Sequence, residues 1–181
     1  MEMQMRETAA MLDDEPFHEF FDSSMQAYAT EAFRQLGADE GTVWLLDGLR
    51  TCLIPRFNSG PRAESFVDIY RQDLRTGMIS MVVATQQPIC ENEVQHNRRQ
   101  DKTLDERLDL ETGAMLAVPF YFVGELRGVI SCVQLKGSRN SAEPRGFSAE
   151  DLRRLQLTTG VLSKLIEHRL VSLCFGLEVL G

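Results

Sequence analysis

Residues 114–135 read AMLAVPFYFVGELRGVISCVQL. They form two apolar, strand-rich runs, Ala114–Val123 and Leu126–Leu135, with only Gly124-Glu125 between them. A two-residue spacer containing glycine between runs of this kind predicts a β-hairpin. Pro119 has no N–H to give to a ladder, so it predicts an edge position or a bulge within the first strand.

Working upstream, 77–85 reads GMISMVVAT, a short buried helix led by Gly77 and ended by Gln86-Gln87-Pro88. Ile89–Val94 predicts a short strand, and 95–111 is polar with helical patches anchored by Leu104, Leu108 and Leu110. Residues 63–74 fit a short helix or a strand equally well. Thr42–Leu46 and Leu49–Phe57 flank Asp47-Gly48, a dipeptide that supplies the positive φ angles of a tight hairpin turn. Before them a helix starts at Pro16, in the first turn where proline is tolerated, and stops at Gly37. Phe17, Phe20, Phe21, Ser24, Tyr28, Ala32 and Leu36 mark its expected face, and Met25, Ala29 and Phe33 widen it.

Downstream, Gly137–Gly146 reads as a flexible loop, and Ser148 caps a long last helix with Glu150 and Asp151 in its first turn. That helix carries two apolar rows. Leu152, Leu155, Thr159, Leu162, Ile166 and Leu173 make one; Leu157, Val161 and Leu165 make the other. Covering one face of a sheet needs a single row. The second row, with the wide stripe on the first helix, predicts a homodimer through the terminal helices.

The 181 residues, 43% of them hydrophobic, suffice for one domain with its own core. The expected division is an acidic disordered tail over 1–15, one domain over 16–176 and a short tail over 177–181. The net charge of −8 is uneven: residues 1–40 hold ten acids against two bases, and the other 141 hold 17 of each. Phosphate binding needs clustered Lys and Arg, so a nucleic-acid partner is not expected. No run approaches a membrane span, and the acidic start lacks the pattern of a secretory signal, so no membrane partner and a cytoplasmic location are expected.

Two further pieces complete a pattern. Met115–Phe120, Gly124 and Leu126–Cys132 form a central strand pair, and Phe147-Ser148-Ala149-Glu150-Asp151-Leu152 leads into the last helix. Together with the Gly77-led helix and Gln87-Pro88, these resemble the GAF domain family over residues 16–173. The resemblance implies an α+β, profilin-like fold: a central antiparallel sheet, the N- and C-terminal helices packed on one face, and a small-molecule pocket on the other, under 62–76 and 88–112. It also implies a sensory or regulatory role, with a signalling protein as a possible partner.

Several subfamily chemistries can be weighed by residue. In the cyclic-nucleotide-binding type, Lys136, Phe147 and Asp151 match the motif, but Leu135 and Leu152 replace its Asn and final acid. Lys136 and Asp151 are then expected to serve at most as an ion pair tying loop to helix. Covalent bilin attachment wants Cys-His, and Cys90 is followed by Glu91. The free-methionine-sulfoxide reductases gather several cysteines at the pocket, whereas Cys52, Cys90, Cys132 and Cys174 are spaced by 38 or more residues without a CxxC pair. No cofactor, structural metal, disulfide or catalytic turnover is expected, with a Cys90 redox role as the alternative. A vestigial, empty pocket on an interaction module is the other. The alternating charges at 98–111 read as a solvated helix laced by i,i+4 pairs. Candidate ligand contacts are Cys90 and Asn92 beside the pocket strand, Arg98 and Arg99 if they turn inward toward an anion, and Thr112 and Met115 on the far side.

Overall fold

The computed structural model describes residues 17–137 and 143–174. The expected tails at 1–15 and 177–181, and the middle of the glycine-flanked loop, lie outside the described residues. The elements in order are α1 (Phe17–Phe20), α2 (Ser23–Gln35), β1 (Glu40–Leu46), β2 (Cys52–Asn58), a 3₁₀ turn (Ala63–Ser65) and β3 (Gln72–Asp73). They continue with α3 (Met78–Thr85), β4 (Ile89–Glu91), a second 3₁₀ turn (Val94–His96), α4 (Thr103–Leu108), β5 (Thr112–Phe122), β6 (Glu125–Leu135) and α5 (Ala149–Cys174). The strands form one sheet in the order β3-β2-β1-β6-β5-β4, with every neighbouring pair antiparallel.

The hairpin at 112–135 turns one residue earlier than its sequence suggests. Phe122 pairs with Glu125, and Val123 and Gly124 carry φ of 53° and 73°. A β-branched residue in the left-handed region is strained. The Val123 N–H is held there by Glu167 Oε1 of α5 at 2.9 Å. Pro119 sits in an interior strand, yet β4 pairs only with Met115–Ala117, so the ladder on that side has ended before the proline needs to donate.

In the other hairpin, Asp47-Gly48 is not a two-residue turn. Asp47 Oδ1 accepts from the Thr51 and Cys52 N–H groups and Oδ2 from the Thr51 hydroxyl, which organises a five-residue loop with the positive φ at Arg50. The first helix is also interrupted. Asp22 accepts from the Met25 N–H and caps α2 anew. Met25, Ala29 and Phe33 face the sheet, and the Ser24-Tyr28-Ala32 row, one position back and so about 100° round the helix, turns outward.

β1, β5 and β6 are buried on both faces, and alternate residues feed two cores. Val43, Leu45, Leu116, Val118, Phe120, Ile130 and Cys132 meet α1, α2 and α5. Trp44, Leu46, Ala117 and Val129 meet Phe66, Tyr70, α3 and Leu108 on the opposite face. On α5 the buried row is Leu155, Leu162, Ile166 and Leu170. Leu173, expected in that row, is exposed with Leu157, Val161 and Leu165. Ser148 and Asp151 cap α5 reciprocally: Ser148 Oγ accepts from the Asp151 N–H, and Asp151 Oδ2 accepts from the Ser148 N–H. Among the described residues no helix is long and apolar enough to cross a membrane.

Gly128 is the tightest point of the sheet. A Cβ there would lie 1.8 Å from the Trp44 carbonyl oxygen, a backbone atom that cannot move without opening the β1–β6 ladder. Gly128→Ala is therefore expected to cost at least about 3 kcal/mol, the upper end for overpacking. Chemical denaturation checks this, and a midpoint within error of the wild type would contradict it.

Candidate functional site

Between the sheet and the segments that cover its second face lies a cavity of ≈ 90 Å³. Its floor is the even-numbered side of β1, with Glu40, Thr42 and Trp44, together with Ser131, Val133 and Leu135 of β6. Its roof comes from Phe66, Met78, Ile79, Val94, Leu104 and Leu108. A β-bulge shapes one wall. The β5–β6 register shifts between Thr112 and Ala114, so Thr112 joins Met115 at the cavity while Ala114 enters the helix-side core.

The charged lining is acidic. Glu40, Asp101 and Asp105 all border the cavity, and among the described residues no Lys, Arg or His does. Asp101 is fully engaged: it accepts from the Thr103 N–H and hydroxyl, the Thr76 hydroxyl and Gln72 Nε2, and these donors hold its carboxyl down at about 2. Gln72 in turn accepts from the Tyr70 hydroxyl, which burial, aided by the Asp101 charge, pushes up to about 12. Asp105 accepts from the Thr112 N–H and hydroxyl and from Gln100 Nε2, yet burial still raises its pKa above the ordinary value.

Glu40 is the least satisfied of the three. It is 6% exposed, and its carboxylate receives one hydrogen bond, from Asn58 Nδ2 at 3.4 Å. Burial raises its pKa; Arg62 opposes the rise, and the Asp39 and Asp105 charges add to it. Gly60 lets the loop after β2 close over this acid, because a Cβ there would fall 2.3 Å from the Glu40 carboxyl carbon.

Of the residues singled out in the sequence, Thr112 and Met115 line this cavity. Asn92 does not. Its Nδ2 donates to the Phe147 carbonyl at 3.0 Å and its Oδ1 accepts from the Phe147 N–H at 2.7 Å, a two-point clamp between the end of β4 and the start of α5. Cys90 is exposed and leans on the same carbonyl. Burial and the Asp151 and Glu91 carboxylates push its thiol up. Arg98 and Arg99 are exposed and border an open depression against α3, so neither faces the cavity. Lys136 pairs with Glu111 at 2.7 Å and Asp151 is spent on the helix cap, so the expected Lys136–Asp151 tie does not form.

The sequence reading missed Glu40, Asp101 and Asp105 as site residues. It placed the two aspartates on a solvated, charge-laced helix, but they bond to Gln72, Thr76 and Thr112 instead of the neighbouring bases. A signal was present: Asp101, Leu104, Asp105 and Leu108 fall at helical spacing on one face. Glu40 likewise shares the strand parity of Thr42 and Trp44.

Comparison with known proteins agrees with this architecture. The GAF domain of a phosphoenolpyruvate-protein phosphotransferase from Coxiella burnetii superposes with a TM-score of 0.69 at 18% identity, covering 96% of this chain and 95% of that one. A type II free methionine-R-sulfoxide reductase from Thermoplasma acidophilum gives 0.62 at 22% identity over 83% and 94%. The GAF-B domain of DevS from Mycobacterium smegmatis gives 0.60 at 17% over 80% and 90%. No curated protein matches the sequence significantly. A family model described as GAF domain matches residues 23–167. With the sheet order, the helix-backed face and the covered cavity on the opposite face, that match settles the family: the chain belongs to the GAF domains.

Proposed function

We propose that this chain is a non-enzymatic sensory domain that reads a small molecule in the cavity and transmits occupancy through α5 to a second copy. The observation that carries this reading is the Asn92 clamp. Val94 forms part of the cavity roof, and two residues earlier Asn92 grips the backbone of Phe147, which directly precedes the Ser148 cap of α5. A ligand that favours one position of the roof thereby favours one position of the α5 N-terminus, which is a population shift between two arrangements. The outer ridge of α5 supplies the output. Leu157 is 66% exposed, and Val161, Leu165 and Leu173 lie along the same helix, also exposed.

The enzymatic alternative through Cys90 lacks support. A nucleophilic thiol needs a lowered pKa, and the surroundings of Cys90 act in the opposite direction. Burial likewise pushes up the thiols of Cys52 and Cys132. One of the similar structures is a free methionine-R-sulfoxide reductase, so the point has a direct check. Across pH, no cysteine is expected to react rapidly with a thiol probe below pH 7. Fast reaction that disappears in Cys90→Ser would replace the sensory reading with a redox one.

The dimer is tested by sedimentation equilibrium at micromolar concentration, where the wild type is expected to run at twice the 20.5 kDa chain mass. Leu157→Glu with Leu165→Glu should yield a folded monomer, since each leucine withdrawn from an interface forgoes about 1.5–3 kcal/mol. A monomeric wild type contradicts the output half of the proposal. For the transmission half, Asn92→Ala should speed amide exchange at residues 147–152 while leaving β1 and β6 protected. Unchanged exchange there would contradict the clamp's role.

A further inference from the structure

The charge and hydrogen-bonding inventory of the cavity restricts what fits inside it. Among the described residues, every ionisable side chain on its wall is a carboxylic acid: Glu40, Asp101 and Asp105. One fully buried acceptor atom there has no donor, Gln100 Oε1, and the Glu40 carboxylate is thinly supplied. Glu40, more than nine-tenths buried, receives one long bond from Asn58 to Oε2. Gln100 Oε1 is buried without a hydrogen-bond partner. That amide turns its Nε2 to the Asp105 carboxylate at 3.3 Å, the orientation an ionised Asp105 requires. A buried acceptor such as Gln100 Oε1 costs free energy until a donor reaches it. The rest of the wall mixes the hydroxyl and amide groups of Thr42, Asn58, Gln72, Thr112 and Ser131 with apolar and aromatic ones, among them Trp44, Phe66, Leu104 and Met115.

We propose that the cavity is a site for a small organic ammonium ion, a primary amine with a short apolar tail. The N–H groups of its head would donate to Glu40 and Gln100, and its tail would pack against Trp44 and Leu104. This rests on the sensory reading above and names the class of ligand. Size agrees. A cavity of about 150 Å³ takes benzene, so ≈ 90 Å³ suits about four non-hydrogen atoms by the same proportion, as in n-propylammonium. A zwitterionic amino acid fits less well, because no cation on the wall answers its carboxylate. A metal ion fits less well too, since among the described residues no three His, Cys, Asp or Glu side chains converge with metal-binding geometry. The ammonium needs ionised partners. The groups facing Glu40 are Asp39 immediately before β1, Asn58 on β2, Arg62 in the following loop and Asp105 on α4; Glu111 and Gln100 act on Asp105. Both acids have raised pKa values, so both gain charge as pH rises and affinity should rise with it.

Trp44 is the only tryptophan and lines the site, so its fluorescence reports occupancy without a label. The wild type is titrated with n-propylammonium chloride, sodium propionate and sodium chloride at matched ionic strength, at pH 5 and pH 8. The expected result is a saturable Trp44 response to n-propylammonium alone, tighter at pH 8, and weakened at least tenfold in Glu40→Gln. Unfolding monitored in parallel guards the variant. A buried acid with a raised pKa withdraws stability as pH climbs from its unfolded to its folded value. Glu40→Gln should therefore equal or exceed the wild type in stability at pH 8. Saturable binding of propionate would overturn the ammonium assignment and leave the sensory reading standing. A Trp44 response no different from that to sodium chloride in every arm would overturn the assignment. A folded Glu40→Gln protein that binds n-propylammonium like the wild type would overturn the role given to Glu40.

Discussion

The structure depends on one packing constraint: β1, β5 and β6 are buried on both faces, so each strand must satisfy two different interiors with alternate residues. The helix-side interior is an apolar cluster with large groups such as Phe33, Leu45, Phe120 and Ile130. Close approach is bought with small residues at the contact points. Gly41 admits the Phe33 ring, which a Cβ would meet at 2.1 Å, and Gly128 admits the Trp44 carbonyl. That face is a fixed platform, and the long helix α5 is anchored to it by Leu155, Leu162, Ile166 and Leu170.

The other interior has a different character. Towards β3 it is apolar, with Trp44, Leu53, Tyr70 and Val82 packed together. Towards the start of β1 the same face presents Glu40 and Thr42, joined by Ser131 from β6 and by Thr112, which the β5 bulge re-aims. Covering these groups with Phe66, Val94, Leu104 and Leu108 removes them from bulk water, and the hydrogen-bond supply is unequal. Asp101 gains four donor groups and is strongly acidic, whereas Glu40 gains one long bond and is pushed toward its neutral form. Desolvated charge without a partner is expensive in a folded protein. Burial raises the pKa of both Glu40 and Asp105, and the Asp105 charge adds to the rise at Glu40. A site of that kind has the most to gain from a bound cation.

What was legible in the sequence follows the strength of each local signal. The 112–135 hairpin, α3 within its observed bounds and the start of α5 were readable because periodicity, glycine and capping agreed there. The Asp47-Gly48 turn was misplaced because the Asp47 carboxylate bonds to Thr51 and Cys52, an arrangement that composition does not announce. The face of the first helix was misassigned because the Asp22 cap breaks it and exposes the Tyr28 row. The acids of the cavity were hidden for a more general reason. An alternating run of charges looks solvated unless the segment folds over an apolar surface, and the covering of β1 and β6 by 94–110 is a long-range event. The Leu104 and Leu108 spacing was the one local trace of it.

The account's central claim is that Glu40 and Asp105 are desolvated carboxylates that share one cavity. Carbon-13 NMR titration of the two side-chain carboxyls tests it most directly. Both midpoints should lie above those of exposed Glu and Asp, and Asp105→Asn should lower the Glu40 midpoint. Midpoints at ordinary values, each indifferent to the other, would contradict the claim.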